Sequence, residues 1–185
     1  ADRAVRAGHH APDPDAGVDN IALNAGAINV TGTLKAPQNI TLRANAMGIG
    51  NTVESTGNAA ITVAPLSFTS MTLGSDSGGL ALTDTELDRF RTGGALRLGT
   101  TGTTSSINIA GAIDPANAGS LTLAANGSIS QNGGAIITAD RLRVQSANGS
   151  ITLDETASAR LTLQAGDVKV GRLGGPAQIS TRQGD

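Results

Sequence analysis

The chain has 185 residues, a formal net charge of −2, no cysteine, and no tryptophan or tyrosine. This length suits one sizeable domain. The lack of cysteine excludes disulfides and thiolate metal sites, and no stretch approaches the roughly 20 apolar residues of a membrane span. The charges are scattered along the sequence without a run. This argues against a nucleic-acid partner, because such proteins need a basic stripe and usually aromatic side chains for stacking.

Residues 1–20 form the first segment, which contains Pro and Gly but no alternating apolar pattern. We predict a poorly ordered leader or an incomplete coil here, followed by a single domain over residues 21–185. His9-His10 lie close to Asp13 and Asp15 in the sequence, and these residue types can ligate zinc. Because terminal segments of this composition are commonly poorly ordered, we predict that the chain binds no metal and no cofactor.

An internal repeat dominates the rest of the sequence. Seven triplets alternate apolar, polar and apolar residues, and their first residues are 19, 21, 35, 25, 21 and 19 positions apart. The triplets are Ile21-Ala22-Leu23, Ile40-Thr41-Leu42, Ile61-Thr62-Val63, Leu96-Arg97-Leu98, Leu121-Thr122-Leu123, Leu142-Arg143-Val144 and Leu161-Thr162-Leu163. Alternation places the outer two side chains of a triplet on one face of a strand. Because one unit cannot bury that face alone, we predict an all-β fold, a right-handed parallel β-helix (β-solenoid) of roughly 20-residue coils.

A second strand is expected after each first triplet, beyond a corner that contains glycine. The corners read Ala25-Gly26-Ala27-Ile28, Asn126-Gly127-Ser128-Ile129, Asn148-Gly149-Ser150-Ile151 and Ala165-Gly166-Asp167-Val168. A third, weaker strand is predicted near Ile136-Ile137 and near Ile179. Asn126 and Asn148 occupy equivalent corners, where they either stack as an amide ladder or act as ordinary turn residues.

One segment departs from the repeat. Thr83 and Glu86 have the spacing of a capping box, which predicts a short helix over residues 83–91, inserted at a corner. Its apolar stripe would consist of Leu82, Leu87 and Phe90. We expect Phe90 to cover the apolar edge of the stack and Gly93-Gly94 to end the helical turn.

The same segment resembles a repeat of filamentous-haemagglutinin-like secreted exoproteins of the two-partner-secretion type. The run Leu80–Phe90, continuing through Gly94–Gly99, carries the resemblance. Further matching segments follow in the same order, and they are Ile107–Ile113, Leu121–Ala125, Leu142–Ala147 and Ile151–Leu153. The resemblance covers residues 20 to 180 as a style of repeat, and it is most specific from Leu80 to Leu153.

The resemblance implies the β-helical shaft of a large bacterial surface protein, exported through an outer-membrane transporter and acting in adhesion, aggregation or the biofilm matrix. It implies no catalytic residue. Residues 1–20 do not resemble a segment that a transporter recognises, so we expect a piece of a longer, secreted or cell-surface shaft. Because a cut stack exposes strand edges, its partners are expected to be the continuing solenoid or further copies, head to tail. Contact with a host or neighbouring-cell surface is also expected.

Two other functions fit a parallel β-helix. A carbohydrate-active enzyme needs paired carboxylates, but the only adjacent acidic pair, Asp154-Glu155, follows a strand and is predicted to be a solvated corner. An ice-binding surface needs a flat threonine array, and one predicted outward column contains Thr41, Thr62, Thr122 and Thr162. Arg97 and Arg143 interrupt that column, and strands favour β-branched residues in any case. We therefore predict a structural protein and not an enzyme.

Overall fold

Parallel β-strands dominate the chain. The computed structural model describes residues 5–6, 20–156, 159–163, 168–173 and 177–181. Within these ranges there is one short helix, and no helix has the length and apolar content that a membrane span requires. Every pairing between named strands is parallel. The chain is therefore mostly β and parallel, as the repeat predicted.

The elements are numbered in chain order. The first ten strands are β1 (Val5–Arg6), β2 (Ile21–Asn24), β3 (Ala27–Val30), β4 (Leu34–Ala36), β5 (Ile40–Arg43), β6 (Ala46–Ile49), β7 (Val53–Ser55), β8 (Ile61–Ala64), β9 (Thr69–Leu73) and β10 (Leu80–Leu82). The helix, α1, comprises Asp84–Leu87. The later strands are β11 (Phe90–Leu98), β12 (Thr104–Ile109), β13 (Ala118–Ala125), β14 (Ile129–Gln131), β15 (Leu142–Ser146), β16 (Ile151–Thr156), β17 (Ala159–Leu163), β18 (Val168–Leu173) and β19 (Ala177–Thr181).

Ten strands form the large sheet, along which eight strands follow the order β2-β5-β8-β11-β13-β15-β17-β19. The first residues of six predicted triplets pair from each strand to the next, and they are Ile21, Ile40, Ile61, Leu96, Leu121 and Leu142. This predicted register is confirmed. From Ile40 to Leu142 each of these side chains is buried. They form a continuous apolar column because strands in register keep their apolar residues on one face.

The seventh triplet is out of the predicted register. Leu161 pairs with Val144, whereas the spacing of the triplets had aligned it with Leu142. The shift is two residues, which leaves each residue on its expected face. Ile179 was also assigned wrongly, because it lies in β19 of the large sheet opposite Leu161 and not in a third kind of strand.

The second strands form two further sheets. The small sheet has the order β1-β3-β6. Strand β1 comes from the segment 1–20 and pairs with β3, the second strand of the first repeat, in which Ile28 and Val30 are buried. The six-stranded sheet has the order β10-β9-β12-β14-β16-β18. Within it, Ile107, Ile129, Ile151 and Val168 are aligned from strand to strand. The predicted alignment of Ile129, Ile151 and Val168 is therefore confirmed, while the corner Ala165-Gly166-Asp167 lies outside the described residues.

A third set of short strands precedes the large-sheet strands. β4 pairs with β7, and β7 pairs with the first three residues of β11, while the last three residues of β11 pair with β8. The pairing of β11 with β13 shifts in register between Thr92 and Ala95. Ile137, where a weak third strand was predicted, forms an isolated bridge with Ile113.

An insertion explains the long interval between Ile61 and Leu96. Met71 of β9 pairs with Leu80 of β10, only nine residues further along the chain. The connection between these strands contains Gly74 and Gly78 at positive φ angles of 73° and 99°, which side chains other than glycine rarely adopt. The chain thus doubles back within one repeat and adds β10 to the six-stranded sheet before α1 begins.

The helix begins where the capping box predicted and ends earlier. Thr83 is its N-cap, and both hydrogen bonds of the capping box with Glu86 are present. The helix covers only Asp84–Leu87, so the predicted range of residues 83–91 was too long.

Phe90 does not cover the edge of the stack. It is the first residue of β11, pairs with Val53, and is 0% exposed. Gly93-Gly94, predicted to end the helical turn, also lie within β11. Phe90 is thus a core residue among aliphatic side chains, and the prediction for its position was wrong.

Candidate functional site

Asparagine side chains connect successive repeats at the corners. Nδ2 of Asn148 lies 3.3 Å from Oδ1 of Asn126, so the ladder considered as one alternative for this pair is confirmed. A second ladder was not predicted. Oδ1 of Asn20 accepts a hydrogen bond from the backbone N–H of Asn39 at 3.0 Å, and Oδ1 of Asn39 accepts one from the N–H of Ala60 at 3.0 Å. Both asparagines stand one residue before a triplet, a signal that could have revealed them.

The helix is tied to the small sheet through a single residue of β6. Oε1 of Glu86 accepts a hydrogen bond from the backbone N–H of Ile49 at 2.9 Å, and a guanidinium N–H of Arg89 donates to the carbonyl of Ile49. Oε2 of Glu86 accepts from the N–H of Thr83 at 2.9 Å. Glu86 therefore caps α1, and it also accepts the hydrogen bond of a backbone N–H at the end of β6 that a neighbouring strand would otherwise accept. This arrangement is structural, because both side chains are occupied by backbone groups.

The outward positions of the large sheet form columns that run along the stack. Thr41, Thr62, Arg97, Thr122 and Arg143 pair in this order, so the predicted column is confirmed for these five residues. Neighbouring members are about 4.8 Å apart, the spacing of paired strands.

Thr162 does not belong to the threonine column. It pairs with Gln145, and Arg160 occupies the position opposite Arg143 instead. The register shift of β17 thus replaces a predicted threonine with another arginine. Three threonines and three arginines now share the column, so it is not the uninterrupted threonine array that ice binding requires.

Three arginines of this face form no salt bridge with an acid of the described residues. Arg97, Arg141 and Arg143 are exposed, and none of them takes part in a salt bridge with a residue of the described region. Arg141 directly precedes β15, and its carbonyl accepts from the backbone N–H of Leu121 at 2.9 Å, which continues the ladder of the large sheet. Because side chains alternate along a strand, Arg141 and Arg143 lie on the same outer face.

A shallow groove of about 590 Å³ lies where the third set of strands meets the large sheet. Its lining includes Glu54, Arg91 and Asp140 together with small polar residues. Glu54 is bound to Lys35 at 3.3 Å on the side away from Asp140. The strand pairings place Glu54 and Asp140 three strands apart, roughly 14 Å at the spacing of paired strands. The carboxylates of a glycosidase pair stand about 5–9.5 Å apart, so this pair lacks that geometry.

The other candidate residues are not brought together. Asp154-Glu155 lie inside β16 and not at the predicted corner. Among the described residues, no group of three His, Asp or Glu side chains could hold a metal ion. His9-His10, Asp13 and Asp15 lie outside the described residues.

Comparisons with known proteins do not assign the chain to a family. No protein-family model matches it, and neither a curated protein nor a solved structure does so. The chemistry of any site must therefore be argued from the chain's own residues.

Proposed function

We propose that this chain is a structural shaft segment, in which the parallel sheets close into a right-handed parallel β-helix that holds outward surfaces at fixed spacing. The register of the large sheet carries the proposal. Inward residues align over six successive strands from Ile21 to Leu142, although one interval between them contains an insertion. A stack of this kind gains length by about 4.8 Å per repeat without any change of cross-section.

The order in which the chain visits its sheets supports closure into a β-helix. From β2 the chain passes to β3 in the small sheet, then to β4, and then to β5 beside β2. The same order recurs from β5 through β6 and β7 to β8. Each of these two repeats therefore contributes one strand to each of three faces, and the inward side chains of those faces share one core cluster.

We further propose that the protein is secreted or displayed on the surface of a bacterial cell, as the filamentous-haemagglutinin-like resemblance implies. The chain's stability comes from repetition and not from cysteine cross-links, since it contains no cysteine. Outward positions are mainly small and polar, and no described cluster has the geometry of a catalytic or metal site. A role in shape and spacing fits these features better than a role in chemistry.

Pairs of spin labels test the stacked fold. The absence of native cysteine allows clean labelling of Ala22→Cys with Thr122→Cys and of Ala22→Cys with Arg143→Cys. These positions are four and five strands apart in one column, so backbone separations of about 19 and 24 Å are expected from the strand spacing. Solution X-ray scattering should show a rod with the cross-section of one repeat. Equal distances for both pairs, or a flat particle, would contradict the β-helix.

Antibodies against the purified chain test the proposed location and role. Intact cells of the source organism should be labelled without permeabilisation, and brief protease treatment of intact cells should abolish the labelling. A cytoplasmic marker protein, probed in the same samples, controls for lysis. Labelling that appears only after permeabilisation would contradict a surface shaft while leaving the β-helical fold in place.

A further inference from the structure

The outer face of the large sheet separates positive from negative charge. Residues 20–154 contain seven Lys or Arg and eight Asp or Glu. The part of this face formed by β2, β5, β8, β13, β15 and residues 94–98 of β11 carries none of the eight acids, because Glu54 belongs to the third set of strands beside it. Four of the seven cations lie on this part, and they are Arg43, Arg97, Arg141 and Arg143. The nearest acid in sequence, Asp140, lines the groove beyond the edge of the face. We call these four residues the arginine face.

The strand pairings fix the spacing of the arginine face. Arg97 and Arg143 are two strands apart in one column, roughly 10 Å from the strand spacing. Arg141 stands two residues before Arg143, which is about 7 Å along an extended strand. The backbone of Arg160 occupies the next position of the column, about 5 Å from that of Arg143. The positive positions therefore follow the stacking direction at intervals of one or two strands.

This arrangement does not stabilise the fold. Like charges on neighbouring strands of one column repel each other. Arg97 and Arg143 stand in one column with only Thr122 between them, and no carboxylate of the described residues forms a salt bridge with either. A bound anion would remove this repulsion.

We propose that the arginine face binds a linear polysaccharide whose sugars carry carboxylates, lying along the stack. A guanidinium pairs with a carboxylate through two parallel hydrogen bonds. The positions between and beside the arginines hold hydroxyl or amide side chains, such as Thr62, Ser120, Thr122 and Gln145, which can bond to sugar hydroxyls. The inference depends on the register of the large sheet and not on the shaft role or the location of the protein.

Two other polyanions fit this face less well. A single-stranded nucleic acid is bound by stacking its bases on aromatic side chains, and the described part of the face has none. A membrane surface is bound by inserting apolar side chains beside the basic ones, and the apolar outward residues here are no larger than alanine. A polar sheet whose guanidinium groups follow the stacking direction matches a hydrated, linear, acidic chain.

A fluorescent oligogalacturonate tests the proposal by titration with the whole chain, with anisotropy as the readout. The double variant Arg97→Gln/Arg143→Gln should weaken binding at least tenfold, because it removes two charge-assisted pairs of the face. The matched control, Lys35→Gln/Arg91→Gln, removes two positive charges from the third set of strands and should change the Kd less than twofold. Circular dichroism should show that both variants remain folded, because the substituted side chains are exposed.

Three results would overturn the proposal. The first is an absence of binding by the unmodified chain at low salt, where screening is weakest. The second is an equal loss in both double variants, which would indicate attraction to overall charge without a defined face. The third is tighter binding of an oligothymidylate with the same number of charges, which would indicate a nucleic-acid site.

Discussion

Replacing Phe90 tests whether this residue lies in the core, where the structure places it, or at the edge of the stack, where the sequence predicted it. A buried aromatic side chain covers about 150–250 Å², which corresponds to roughly 4–6 kcal/mol at ~25 cal/mol per Å². Alanine retains part of that area and the unfolded chain already buries some, so we expect Phe90→Ala to lower the free energy of unfolding by about 3–5 kcal/mol. The residue is 0% exposed, and its cavity would open inside an aliphatic core that cannot collapse without moving several strands.

The chain supplies its own control, because its only other aromatic residue is Phe68, which is 63% exposed. Phe68→Ala should change the free energy of unfolding by no more than about 1 kcal/mol, since exposed substitutions have small effects. Urea unfolding followed by circular dichroism measures both values, as the chain has no tryptophan or tyrosine for fluorescence. If Phe90→Ala does not fold, Phe90→Leu should still cost more than Phe68→Leu. Equal effects at the two positions would place Phe90 on the edge of the stack and refute the structure here.

Three further substitutions address strand β13, an asparagine corner and the helix. Gly119→Ala should cost about 1–3 kcal/mol, because its Cβ would overlap a backbone carbonyl of the preceding repeat, whereas Gly102→Ala meets open space and should be neutral in the same urea assay. Asn39→Ala should lower the free energy of unfolding by about 1 kcal/mol, and Asn39→Asp should lower it less because aspartate keeps the accepting oxygen. A thermal melt that ranks the two variants in the opposite order would contradict the ladder. Glu86→Ala should lower the free energy of unfolding by about 1–3 kcal/mol, because two backbone N–H groups lose their acceptor. Hydrogen exchange at the end of β6 should become faster in this variant, whereas Thr85→Ala, at an exposed neighbouring position, should leave that exchange unchanged.

Alternation and spacing were enough to predict most of the large sheet. The triplets that start at Ile21, Ile40 and Ile61 pair as predicted because a one-residue error would turn every apolar side chain outward. A two-residue error has no such effect. The sequence therefore could not show that Leu161 pairs with Val144, since the two registers have the same apolar–polar alternation.

The insertion was only partly predictable, because its signals are local and its partners are distant. The capping box at Thr83 and Glu86 indicates where a helix starts, and it does so correctly. Its end depends on Phe90 pairing with Val53, and nothing near Phe90 in the sequence indicates that contact. The pairing of β10 with β9 was likewise hidden, because a strand pattern specifies faces and not neighbours.

The arginine face was hidden for the same reason. Its four residues, from Arg43 through Arg97 and Arg141 to Arg143, are separated by 54, 44 and 2 positions, and in the linear sequence they form no run. The sequence indicated that Arg97 and Arg143 share a column, but it gave no sign that acids avoid the whole face. The charges are scattered along the sequence, which argued against a nucleic-acid partner, yet the fold brings four arginines together on this one surface.

The corners hold the register on which this surface depends. The apolar columns alone would tolerate a slip of two residues, as the shift at Leu161 illustrates. Such a slip between β13 and β15 would carry Arg143 out of line with Arg97 and place Arg141 in the column. The Asn148–Asn126 contact joins the corners that follow these two strands and breaks if they slide. The inward residues thus determine which side chains face outward, while the corner residues determine which outward side chains stand together, so a corner substitution can alter a binding face it does not touch.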